Sequence, residues 1–176
     1  INIDLMFGLP GQNIEQMIND IDQAIKLNPT HISHYQLTLE PETKLAELKP
    51  DMPSEELLTE MYSQSRAYLA QLGYTNYETS AFAKPDFKCK HNLNYWQFGD
   101  YIGIGAGAHG KQTNIDGIVR YHKSSNYRDY ISTVEQGAAR NAEILSEHEI
   151  ILEFMINAMR LNNGWHKQLF QQSTFI

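Results

Sequence analysis

The stretch INIDLMFGLPGQNIEQMINDIDQAIKLNPTHISHYQLTL, residues 1–39, decides the fold. From Asn2 to Met6 the residues alternate, with Ile1, Ile3 and Leu5 on one side and Asn2, Asp4 and Met6 on the other, the period of a strand. The run Gly8-Leu9-Pro10-Gly11 interrupts it, and Asn13 follows as a good N-cap, with Gln16 three residues on completing a capping box. Ile14, Met17, Ile18, Ile21 and Ile25 recur at helical spacing until Asn28-Pro29 stops the helix. Residues 32–39 predict a second strand, with Ser33, Tyr35, Leu37 and Leu39 opposite Ile32, His34, Gln36 and Thr38. Two strands joined by one helix form a βαβ unit, so they run parallel. A parallel strand buried on both faces reads as a nearly continuous apolar run. Each strand here instead carries polar groups on one face (Asn2 and Asp4; His34, Gln36 and Thr38). That face belongs either to a sheet edge meeting water or to a barrel interior meeting a ligand at the carboxyl ends of its strands.

Outward from this unit, residues 41–53 read as a loop and Ser54 caps a helix whose face is Leu58, Met61, Tyr62, Ser65, Leu69 and Leu72, with Gly73 as its stop. Residues 74–82 are β-like, 85–94 polar and irregular, and 101–104 a candidate strand. Asn114-Ile115-Asp116-Gly117 predicts a hairpin turn. Helices are predicted over 126–135 and 146–161, the second striped by Ile150, Ile151, Phe154, Met155, Ala158 and Met159. The 176 residues carry a net charge of −7 and one cysteine. The acidic balance argues against a nucleic-acid surface, which needs clustered Lys and Arg. No apolar run approaches the roughly 20 residues of a membrane span, so no integral membrane segment is expected. A single cysteine excludes an internal disulfide framework and a self-contained multi-cysteine cluster, and suits a reducing, cytoplasmic setting. The chain begins inside a strand with no initiator Met, and reads as part of a longer one.

Four groups of residues bear on chemistry. Gly105-Ala106-Gly107-Ala108-His109-Gly110 fits the dinucleotide pattern G-x-G-x-x-G, but a hairpin rather than a helix follows it, and the phosphate-binding reading fails for want of helix amides. The glycines at 103, 105, 107 and 110 instead let backbone approach either a ligand or a packed neighbour. His31 and His34 stand three apart on a strand and point to opposite faces, so they are no chelating pair. Asp4, a carboxylate in the middle of an apparently buried strand, needs a partner: a structural donor, or a ligand hydroxyl or ammonium. In Cys89-Lys90-His91-Asn92-Leu93-Asn94-Tyr95-Trp96, a histidine beside Tyr and Trp suits a flat macrocycle with imidazole on its iron, or else ordinary aromatic packing.

Three runs, residues 4–12 (DLMFGLPGQ), 35–41 (YQLTLEP) and 91–110 (HNLNYWQFGDYIGIGAGAHG), together resemble the HemN/HemW family of radical S-adenosylmethionine proteins, and the HemW branch more than the oxygen-independent coproporphyrinogen III oxidases. The resemblance covers residues 1 to about 110 well and the remainder more loosely. It implies an α/β fold, with residues 1–72 the C-terminal part of a partial (β/α)6 barrel and 73–176 the family's smaller α/β C-terminal region. By position it assigns Asp4 to S-adenosylmethionine, aligns Thr38 with a further contact for the same cofactor, places His109 near another, and assigns His91 to the axial ligation of haem. It implies a haem chaperone that passes haem or porphyrin to haem-requiring proteins; the rival functions are coproporphyrinogen III oxidation and a purely structural role. The family's C-x3-C-x2-C motif for its [4Fe–4S] cluster is absent, as are its glycine-rich cofactor motif and an earlier acidic residue. No catalytic residue and no cluster ligand is therefore assigned within these residues, and alone they should not cleave S-adenosylmethionine.

Overall fold

The computed structural model describes residues 1–137 and 141–176. They divide into two compact units, Ile1–Cys89 and Lys90–Ile176. The sequence places its division after Leu72. The structure places it later, because the segment that follows pairs with the first sheet and is held by its hydrogen bonds.

In the first unit, strand β1 (Asn2–Phe7), helix α1 (Ile14–Ile25) and strand β2 (His31–Gln36) form the expected parallel βαβ unit, in the register Asp4↔Ser33 and Leu5↔His34. Asn13 and Gln16 make both bonds of the capping box. β2 stops three residues short of the predicted end. Gly8 turns β1 away at φ +72°, and the Leu37 amide makes the last rung to the Phe7 carbonyl at 2.9 Å. A short helix α2 (Lys44–Glu47) occupies the predicted loop, and α3 (Glu55–Gln71) is capped by Ser54 as expected. The β-like stretch that follows is two strands, β3 (Thr75–Glu78) and β4 (Ala81–Ala83), and the sheet order is β1-β2-β4-β3 with β4 antiparallel to β2. Helices α1 and α3 cover one face. Ile21, Ile32, Leu69, Tyr74 and Phe82 pack there with Leu5, and Phe7 joins Met17 and Met61.

The register corrects the reading of the polar face. His34 lies beside Leu5 on the helix-covered side, stacked on Phe7 at 4.7 Å, while His31 and Ser33 share the opposite face with Asn2 and Asp4. Asp4 is also not buried: no helix covers its face of the edge strand among the described residues, and it is exposed.

The second unit opens with helix α4 (Lys90–Trp96), where the sequence suggests an irregular segment. Tertiary packing sustains it: Phe98 closes the helix in the left-handed region (φ +61°) while its ring is buried against Phe154. Arg160 lies 4.3 Å over the Trp96 ring. The strand predicted at 101–104 reduces to a single bridge between Tyr101 and Lys111. Strands β5 (His109–Asn114) and β6 (Gly117–His122) form the predicted hairpin, and β7 (Asn141–Ile144), which the sequence reading missed, extends it to a sheet of order β5-β6-β7. Helices α5 (Tyr127–Glu135) and α6 (Glu147–Ala158) match expectation to within a few residues, and α7 (Lys167–Thr174) was not foreseen. The core is Phe98, Ile118, Leu145, Phe154 and Ala158, with Ile150, Met155, Trp165, Leu169 and Phe170 against it. Of the stripe read on α6, Ile151 and Met159 are instead exposed.

Candidate functional site

On the open face of the first sheet, side chains from three strands form one hydrogen-bonded series. Asn2 Nδ2 donates to Asp4 Oδ1 at 2.8 Å. Asn2 Oδ1 receives Ser33 Oγ at 3.2 Å and lies 2.6 Å from His31 Nδ1. His31 Nε2 lies 2.7 Å from the Tyr77 hydroxyl, which accepts the Cys89 amide at 3.1 Å. Asn2 and Asp4 come together because residues two apart on a strand share a face. Burial lowers the His31 pKa, partly offset by the Asp4 carboxylate, and pushes that of Tyr77 up to about 12. Thr38 lies two residues beyond the end of β2, exposed, at the carboxyl end of the parallel pair.

The other predicted residues belong to the second unit. His91 sits in the first turn of α4, exposed, with its ring edge-on to Tyr95, one helical turn on, at 4.9 Å. Tyr95 in turn lies 4.5 Å from Tyr101. This is a surface imidazole backed by aromatic rings, not a packed core histidine. His109 is exposed at the start of β5, opposite His122, whose ring stacks on it at 5.8 Å. Two of the glycines around it serve a packed neighbour: a Cβ on Gly103 would meet the His109 carbonyl oxygen at 2.1 Å, and one on Gly110 the Tyr121 ring at 2.0 Å, whereas Gly105 and Gly107 take φ of +103° and +72°.

Sequence reasoning missed the series behind Asp4, because His31 and Tyr77 lie far from Asn2 along the chain and no local pattern joins them. It also missed Lys111. This buried lysine is 2% exposed and donates to Asp100 at 3.0 Å, with its ammonium 4.1 Å from the centre of the Phe98 ring. Burial lowers its pKa against the opposing pull of Asp100. Asp100 also accepts from the Thr113 amide and hydroxyl, at 2.8 and 2.9 Å. Lys111 and Arg120, the latter paired to Glu153 at 2.5 Å, border a cavity of about 40 Å³.

No protein-family model matches the chain. Over 161 residues it is 46% identical to the heme chaperone HemW of Escherichia coli (strain K12), covering 91% of this chain and 42% of that protein. Over 174 residues it is 44% identical to HemW of Haemophilus influenzae, covering 98% and 45%. The chain is a homologue of part of HemW. A more distant relative is the radical S-adenosyl methionine domain-containing protein 1, mitochondrial, of Bos taurus, 31% identical over 183 residues and covered over 41% of its length. The chain thus spans less than half the length of these relatives. Among solved structures, coproporphyrinogen III oxidase (HemN) from Escherichia coli, a radical SAM enzyme, matches with a TM-score of 0.75 at 20% identity, over 99% of this chain and 43% of that one. That likeness establishes the α/β fold as a portion of the radical SAM fold of HemN.

Proposed function

We propose that this chain handles haem in a haem chaperone, with His91 as an axial ligand and haem-requiring proteins in the cytoplasm as recipients. The observation that carries the reading is the His91 ring, exposed on α4 with Tyr95 against its edge. The relatives are heme chaperones, and that supplies the chemistry of the ligand. A neutral imidazole nitrogen presents a lone pair suited to ferric or ferrous iron, and the aromatic side chains beside it suit the face of a macrocycle.

The residues fit S-adenosylmethionine in part. Asn2 holds one oxygen of the exposed Asp4 carboxylate, which has acceptor sites to spare for a cationic or hydroxyl-bearing ligand. Thr38 and His109 each offer an exposed polar group and are assigned singly. A [4Fe–4S] cluster does not fit: it needs about three or four thiolates, and the only cysteine is Cys89. Cluster ligands would come from outside these residues.

Haem titration of the protein at its full natural length tests the reading. A saturable Soret shift is expected, weakened about tenfold or more in His91→Ala, equivalent to ~1.4 kcal/mol. Because His91 is exposed, the far-UV circular dichroism of the variant should match wild type. No saturable shift, or an unchanged one in His91→Ala, sinks the haem-ligand role, and decarboxylation of coproporphyrinogen III by the protein would favour the oxidase instead.

A further inference from the structure

The series behind Asp4 has a direction. An ionised carboxylate only accepts, so Asn2 must turn its NH2 towards Asp4 and its oxygen towards His31 and Ser33. Ser33 and His31 must then both donate, which places the imidazole proton on Nδ1. Neutral His31 is left with a lone pair on Nε2, where it accepts the Tyr77 hydroxyl proton, and the Tyr77 oxygen receives the Cys89 amide. Every donor in the series points towards Asp4. The groups that set the direction are enclosed: His31 is 6% exposed, Ser33 4% and Tyr77 2%. Asp4 itself stands exposed on an edge strand, where a carboxylate would otherwise turn freely.

We infer that His31, held as its neutral Nδ1–H tautomer between Tyr77 and Asn2, is the positioning residue for the Asp4 carboxylate. It fixes the Asn2 amide, the amide holds Oδ1, and Oδ2 is left aimed at a cationic or hydroxyl-bearing ligand. This deepens, and rests on, the reading of Asp4 as a contact for S-adenosylmethionine. His31 touches no ligand and acts only through Asn2.

Two measurements test it. In protein labelled with 15N-histidine, the ring nitrogens of His31 should show protonated Nδ1 and unprotonated Nε2 near neutral pH. An Nε2–H tautomer there overturns the inference, whatever binds at Asp4. Equilibrium dialysis of S-adenosylmethionine against the protein at its full natural length supplies the second. His31→Leu should weaken binding about fivefold, while His31→Asn, whose amide nitrogen overlays Nδ1, should stay within about twofold of wild type. In an Asp4→Asn background, His31→Leu should change nothing further, an outcome that general loss of packing would not give. Weakened binding in Asp4→Asn with wild-type binding in His31→Leu refutes the positioning role alone. Unchanged binding in Asp4→Asn refutes the cofactor reading instead. The tautomer, and the Asp4 carboxyl 13C resonance that His31→Leu should displace, then decide the inference by themselves.

Discussion

His34 and His31 are neighbours on β2 with opposite surroundings. His34 is 5% exposed, stacked on Phe7 and edge-on to Phe82 at 6.5 Å, and burial pushes its pKa down to about 4. In the unfolded chain the imidazole titrates near its ordinary 6.5. As pH falls below that value the unfolded state takes up the proton first. The contribution of neutral His34 is therefore complete above about pH 6.5 and is lost progressively towards pH 4. The full difference is on the order of 3 kcal/mol. The urea midpoint of the wild type, followed by far-UV circular dichroism, should fall more steeply between pH 6.5 and 4.5 than that of His34→Phe. Parallel pH profiles for the two proteins would refute this account. The strand period correctly set His31 and His34 on opposite faces. It could not say which face the helices cover, since that depends on the pairing of Leu5 with His34 across the two strands.

Elements held by local bonds were legible, and those held by distant contacts were not. The capping box of Asn13 and Gln16 and the turn at Asn114–Gly117 are written within a few residues. Helix α4 is not, because its support comes from Phe154 and Arg160, some sixty positions away. The β5–β6 hairpin joins both cases. Its turn is local, whereas Gly110 is small because the Tyr121 ring crosses it on the way to the Gly103 amide, which donates to the Tyr121 hydroxyl at 3.0 Å. Gly110→Ala should displace that ring and lose that bond, costing about 2–3 kcal/mol. Both tryptophans, Trp96 and Trp165, belong to the second unit, so their fluorescence during urea unfolding reports the loss. A midpoint equal to wild type would mean that the hairpin accommodates the methyl group.

For the molecule as a whole, the cysteine count constrains chemistry more than the charge of −7 does. The likeness to HemN is to part of a radical SAM fold, yet one thiolate cannot hold four irons, and among the described residues no group of three metal-ligating side chains exists. Incubated anaerobically with ferrous iron and sulfide, the 176-residue chain should acquire no [4Fe–4S] absorption band or, after reduction, electron paramagnetic resonance signal. Stoichiometric cluster uptake would overturn that expectation.

Phe98 gives α4 the mechanics of a lever. Seven helical residues span about 10 Å. The far end is pinned where the Phe98 ring enters the core, and the near end carries His91. A tilt of about ten degrees about the pinned end would carry the imidazole by on the order of 2 Å, close to the length of a metal–nitrogen bond. The packing of Phe98 against Phe154 thus sets the reach of a side chain it never touches.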